Sequence, residues 1–253
     1  MANDIVERIA EAIPLERGDR TLIASDITRM CLEIDHDDVR MALNRLIDLL
    51  KMKVGEDGTL LFPTYNWGFC KGLPFDYKKT RSKTGSLSQL ALRRRDFTRT
   101  RHAIYSFAVW GKDTKELFDM NDRNSFVGDT PFSYFHRNGG KMIALDATSF
   151  FTFLHYVEEK NQVPYRFLKA FHGKYIDEND QESERTYTMY VRYLDERNVQ
   201  RNPHFHAWMH EQGVQHEQTV QGIPIWCIGF KDAYELITHE IKHNAARNII
   251  VHA

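Results

Sequence analysis

Thr152, His155 and Glu158 follow one another at three-residue intervals in the segment TFLHYVEEK. On a helix this spacing sets the three side chains along one face. A hydroxyl, an imidazole and a carboxylate so arranged can move a proton. The imidazole titrates near neutrality, the carboxylate can fix its orientation, and the hydroxyl can donate to a developing charge. Local spacing alone favours a capped helix with a salt-linked face over a proton-transfer site.

The elements that must position these residues are legible nearby. Met142–Leu145 is a short apolar run and reads as a buried strand that delivers the chain to the helix. Upstream, Thr21–Ala24 and 58–64 (GTLLFPT) read as strands, the latter stopped by proline, and Ile104–Trp110 as another. Helical periodicity runs through Val39, Leu43, Leu46, Ile47 and Leu50, and helices are also expected at the N-terminus, Thr114–Met120 and Tyr134–Arg137. Residues 82–95 read as a glycine-containing loop and a helix that ends in three arginines.

Strands and helices alternate in this way through the first two-thirds of the chain. The fold class implied is α/β, a layered αβα-like core around a mainly parallel sheet. The last third differs: Leu168–Tyr175 and Thr186–Leu194 flank an acidic tip and suggest an antiparallel hairpin. Ile223–Ile228 adds a strand and Asp232–His243 a closing helix.

Composition bounds the function. A chain of 253 residues with 42% hydrophobic and 12% aromatic content can build a substantial core. A formal charge of −1 argues against general nucleic-acid or membrane-surface binding, both of which favour a strong basic excess. Cys31, Cys70 and Cys227 are widely spaced and include no CxxC pair, which points to reduced thiols in a cytoplasmic protein. Neither a signal peptide nor a membrane-spanning run is apparent.

The order of several segments resembles the aminoglycoside 3-N-acetyltransferase family. They are Gly18-Asp19 with the apolar stretch to Ser25, GTLLFPTYNW at 58–67, FDYKKTRSKTGSLSQLALRRR at 75–95 and HAIYSFAVWG at 102–111. The Gly139-Gly140 pair, TFLHYVEE and Pro164-Tyr165-Arg166 complete the series. The resemblance implies an acyltransferase that moves an acyl group from acyl-CoA (acetyl-CoA or a longer chain) to an amine of an amino sugar, without a metal. The expectation is one acyltransferase domain over 1–253, with 168–228 as an antiparallel β-rich subregion on the acceptor side. It implies His155 as the active-site histidine, Glu158 as its orienting carboxylate and Thr152 as a donor to the carbonyl oxygen or the departing sulfur.

By the same resemblance the turn Ser82, Thr84, Gly85 and Ser86 would contact CoA, and Ser25 and Asp26 would line the channel. Arg93, Arg94 and Arg95 would meet its phosphates, although a basic helix end is favoured by the helix dipole in any case. Tyr65, Trp67, His102, Tyr105, Phe151, His204 and His206 are the candidate acceptor contacts. The family's His-Pro-x-His-Ser element reads His102-Ala103-Ile104-Tyr105-Ser106 here, and its usual asparagine before the threonine is Phe151. Both departures fall where the acceptor is read. They favour a nucleotide-linked amino sugar for a surface polysaccharide, such as lipopolysaccharide, over an aminoglycoside antibiotic whose acetylation confers resistance. A non-catalytic CoA- or sugar-binding relative is the remaining alternative, and a homodimer is compatible with each reading.

Two metal-like patterns carry less. His239-Glu240-Ile241-Lys242-His243 matches HExxH but lacks a convincing third ligand downstream. His204, His206 and His210 have no cysteine or carboxylate companion, and they read as a loop over the binding cleft. Cys70 has no neighbouring base and reads as a packed thiol.

Overall fold

In the computed structural model, which describes residues 2–252, the chain opens with helix α1 (Ala2–Ala12), strand β1 (Arg20–Ser25) and helices α2 (Thr28–Leu32) and α3 (Val39–Val54). Strands β2 (Thr59–Pro63) and β3 (Phe75–Asp76), helix α4 (Ser86–Arg93) and strands β4 (Thr98–Arg99) and β5 (Phe107–Gly111) follow. Next come helices α5 (Thr114–Asp119) and α6 (Pro131–Asn138), strand β6 (Lys141–Leu145) and helix α7 (Phe153–Lys160). The last third holds β7 (Arg166–Ile176), β8 (Glu182–Arg192), β9 (Val199–Arg201), helix α8 (Phe205–Glu211), β10 (Gln215–Val220), β11 (Ile223–Gly229), helix α9 (Phe230–His243) and β12 (Ile250–His252).

The main sheet has seven strands in the order β10-β11-β6-β1-β2-β5-β4. The three central strands β6, β1 and β2 are parallel, and every pairing outside them is antiparallel. Alternation along the central strands feeds two cores. Leu22, Ala24, Leu61, Met142 and Ala144 face one side with α6, α7 and α9, while Ile23, Leu60, Phe62, Ile143 and Leu145 face the other with α1, α3 and α4. A sheet buried on both faces explains why its central strands read as unbroken apolar runs.

The layered α/β class expected from the sequence is present, with local corrections. The parallel part is confined to the centre, because β5 pairs with β4 as well as β2 and so runs back along it. The β7–β8 hairpin pairs with β3 and forms a separate three-stranded sheet. Residues 168–228 are therefore split, since β10 and β11 extend the main sheet instead. Ile104 and Tyr105 lie in a bend before β5, and α4 stops at Arg93 because Arg94 is extended. The segment beginning at His204 is helical: His204 caps α8, whose Phe205 and Met209 are buried against the core.

Candidate active site

Helix α7 stands at the carboxyl end of β6, one of the parallel central strands. This is where open α/β sheets commonly bind ligands. Phe153, Leu154, Tyr156 and Val157 are buried, each contributing roughly 1.5–3 kcal/mol, and they hold the helix to the sheet. Its leading loop is anchored at both ends. The Asp146 amide donates to the Pro224 carbonyl at 2.8 Å, and the Asp146 carboxylate pairs with Arg29 of α2. At the far end, Arg201 Nη2 donates to the Ser149 carbonyl at 2.6 Å.

On this helix His155 Nδ1 lies 2.8 Å from Glu158 Oε2. An ionised carboxylate only accepts, so the proton sits on Nδ1 and Nε2 carries a free lone pair. Glu158 is completely buried, while the His155 side chain remains 31% exposed and can meet a ligand. Arg166, on β7, brings Nε to 2.7 Å from the same carboxylate oxygen. Burial by itself would raise the Glu158 pKa, but the Arg166 charge and the His155 hydrogen bond outweigh it and hold the carboxyl below its usual value. Burial also lowers the His155 pKa; the Glu158 hydrogen bond opposes this, and Arg166 and Arg201 reinforce it. The imidazole is thus kept as a free base near neutrality.

Thr152 occupies the N-cap position, yet its side chain makes no capping hydrogen bond. A helix-capping role for this residue therefore fails, and its hydroxyl is left facing the Tyr65 hydroxyl. Tyr65 is only 1% exposed, with its ring against Tyr105, Phe107 and Phe150. Trp67 is partly exposed, and its Nε1 donates to Tyr105 Oη at 3.5 Å. Phe126 touches both Tyr105 and His155, with ring centroids 5.0 and 5.4 Å away.

His102, Phe151, His204 and His206 stand apart from this face. His102 Nδ1 accepts the amide hydrogens of Ile104 and Tyr105, which shapes the bend that carries Tyr105, and burial pushes its pKa down to about 3. Phe151 packs behind the helix against Phe205 and His206. His206 Nδ1 donates to Gln215 Oε1 at 2.8 Å, and burial lowers this imidazole to about 4. His204 is exposed at the start of α8.

A groove of about 1410 Å³ opens on the α2–α3–α4 side of the sheet. Ser82, Gly85, Ser86, Arg93 and Arg94 line it, as do Arg81 and Lys83 of the same 75–95 segment and Arg40, which had no place in the sequence reading. Gly85 adopts φ +100, and a Cβ there would come within 3.0 Å of the Ser25 carbonyl, so the loop approaches β1 more closely than a side chain allows. Ser82 and Thr84 are joined at 3.0 Å, and Thr84 donates to the Pro63 carbonyl, which makes Thr84 a brace for the loop. Asp26 accepts from the Thr28 amide and hydroxyl at the start of α2.

The three arginines separate. Arg94 is bound to Asp48 at 2.6 Å and to Asp96 at 2.9 Å, so it is a structural cation. Arg93 lines the groove and is exposed, with no carboxylate within ion-pair distance among the described residues, and Arg95 is exposed outside it. The basic side chains of the groove lining could meet an anion. Asn66 lies in its wall and the next residue, Trp67, beside Tyr105, so one loop borders both regions.

The metal-like patterns dissolve. Glu240 of the HExxH segment is buried and accepts from Asn244 and Asn248, while His239 and His243 are exposed. Among the described residues no group of three or more histidines, cysteines or acids could hold a metal ion. Burial raises the Cys70 thiol to about 11, as expected of a packed side chain. Among the described residues, no helix is long and apolar enough to cross a membrane.

Arg166 and Arg201 were missed by sequence reasoning as site residues. Arg166 lies in a motif that marked the resemblance, but no spacing rule places it on Glu158, and nothing local to Arg201 signals its approach to the loop before α7.

The whole shape has known counterparts. Aminoglycoside acetyltransferase AAC(3)-Xa superposes with a TM-score of 0.74 at 19% identity, over 96% of this chain and 93% of that one. A structure described as AAC-IIIb binary with CoASH gives 0.74 at 15% identity, over 96% and 97% of the two chains. The YokD protein from Bacillus subtilis gives 0.73 at 16% identity, over 95% and 98%. No curated protein matches the chain by sequence. A model of the aminoglycoside 3-N-acetyltransferase family matches residues 36–242, from before α3 to near the end of α9. The chain is therefore a member of the aminoglycoside 3-N-acetyltransferase family, a family of acetyltransferase enzymes.

Proposed function

We propose that the protein transfers an acetyl group from acetyl-CoA to an amine of an aminoglycoside-type amino sugar, with His155 as general base. The observation that carries this reading is the His155–Glu158 pair, whose 2.8 Å contact leaves Nε2 as the free lone pair of a side chain that is 31% exposed. CoA fits the groove: Gly85 lets backbone approach it, and Arg40, Arg81, Lys83 and Arg93 offer cations to its phosphates. In the step proposed, the amine nitrogen attacks the thioester carbonyl and His155 Nε2 takes its proton. The C–S bond then breaks, and the CoA thiolate leaves and is protonated. Thr152 stands to donate to the carbonyl oxygen or the sulfur, and Glu158 stabilises the imidazolium.

The family supports an aminoglycoside acceptor and replaces the nucleotide-linked sugar as the leading reading. One observation keeps the second reading in view. Lys169 and Arg201 have no carboxylate within ion-pair distance among the described residues; Lys169 is the cross-strand partner of Met189, and Arg201 donates to the Ser149 carbonyl in the loop before α7. Cations there would suit an anion-bearing amino sugar better than a polycation. The acceptor side is taken to include the β7–β8 hairpin, within the β-rich subregion expected from the sequence.

Incubation with acetyl-CoA and gentamicin, sisomicin or a nucleoside-diphosphate amino sugar, with detection of free thiol, tests both readings. Turnover with the aminoglycosides is expected. Turnover with the nucleotide-linked sugar alone would select the second reading, and none with any amine would reject transfer altogether.

A further inference from the structure

Three segments distant in sequence meet at Tyr105. Its ring is 6% exposed and lies 4.7 Å from Tyr65 and 5.0 Å from Phe126, which in turn contacts His155. Its hydroxyl takes the Trp67 indole hydrogen at 3.5 Å and donates to the Met189 thioether at 3.4 Å. Both bonds are long, and sulfur is a weak acceptor. The phenol is therefore occupied internally by two weak partners. Burial lifts its pKa to about 12, so it carries no charge at working pH.

Trp67 and Met189 are each partly exposed. They come from opposite directions: Trp67 from the loop after β2, and Met189 from β8, which belongs to the separate small sheet. Tyr105 and Phe126 are buried and pack behind them toward the base. The partly exposed groups on this side are thus an indole and a thioether, with Lys169 as the cross-strand partner of Met189.

We propose that Tyr105, Trp67 and Met189 form the wall that selects the acceptor, with Tyr105 as its specificity-determining residue. The inference rests on the acyl-transfer reading and deepens it. A sugar ring laid on this wall would turn its C–H face to the aromatics and keep its hydroxyl and amino substituents pointing away. Met189 is unbranched and adaptable, so the Tyr105 hydroxyl has the task of holding it and Trp67 in one arrangement.

The test is steady-state kinetics of Tyr105→Phe, Trp67→Ala and Met189→Ala, with gentamicin and glucosamine as acceptors and thermal melting as a control for folding. Tyr105→Phe keeps the ring and removes only the tether. The ratio of kcat/KM between the two acceptors should change by about fivefold or more, the scale of one lost hydrogen bond, with the KM for acetyl-CoA within about twofold of wild type. An unchanged ratio in all three variants, with wild type active, would overturn the wall. So would a KM for acetyl-CoA that moves in step with that of the acceptor. Wild-type protein inactive with every amine would instead overturn the transfer reading, and the wall with it.

Discussion

Arg166 Nε and His155 Nδ1 converge on one oxygen, Oε2 of Glu158, at 2.7 and 2.8 Å. The carboxylate thereby performs two tasks. It neutralises a cation that begins β7 and holds the imidazole on α7, so the small sheet is joined to α7 at the His155–Glu158 pair.

Glu158→Gln separates these tasks. The amide is close in shape but leaves Arg166 without its counter-charge, and breaking a buried pair costs about 3–5 kcal/mol. We expect a lower melting temperature together with reduced kcat, measured by thermal denaturation and thiol release. Equal stability to wild type would contradict a structural role for the Arg166 contact.

His155→Ala should lower turnover by about a hundredfold or more while acetyl-CoA binding, followed by calorimetry, is retained. The groove residues belong to other elements, so loss of CoA binding in this variant would argue against the division of the site.

The acid limb of kcat/KM should fall below pH 6.5, because burial with Arg166 and Arg201 lowers the His155 pKa from that ordinary value. The active form is the free base, so activity is present above the lowered pKa and lost as pH falls through it. Stability follows the same sign. Glu158 and His155 both have folded pKa values below their unfolded ones, 4.5 and 6.5. Their contribution is fully present above the unfolded values and disappears as pH drops through the folded ones. A pH series of melting temperatures should be flatter on the acid side in Glu158→Gln than in wild type.

Arg93 and Arg94 should behave differently despite being neighbours. Arg93→Ala is expected to raise the KM for acetyl-CoA several-fold and weaken its salt dependence, since an exposed cation is removed from the groove lining. Arg94→Ala should mainly cost stability, on the order of 1 kcal/mol, because its guanidinium joins Asp48 and Asp96. Matching kinetic effects in the two variants would overturn this assignment.

Periodicity and segment order made the α/β class, the helix carrying His155 and the glycine turn legible in the sequence, because each rests on residues close together in the chain. The i, i+3 relation between His155 and Glu158 is of this kind: once α7 forms, their contact is nearly obligatory. Tertiary structure decided what local rules do not encode. It brought Arg166 to Glu158, seated Arg94 between two aspartates while leaving Arg93 in the groove, and buried Tyr65, which had read as an acceptor contact. It also folded His204–His210 into a helical turn, since the apolar Phe205 and Met209 gained a core to pack against. Contacts across sheets depend on strand order and hairpin placement, which come from the packing of whole elements and not from the spacing of residues within one. The sequence by itself determined the His155–Glu158 pair on one helix; the contacts around that pair exist only in the folded chain.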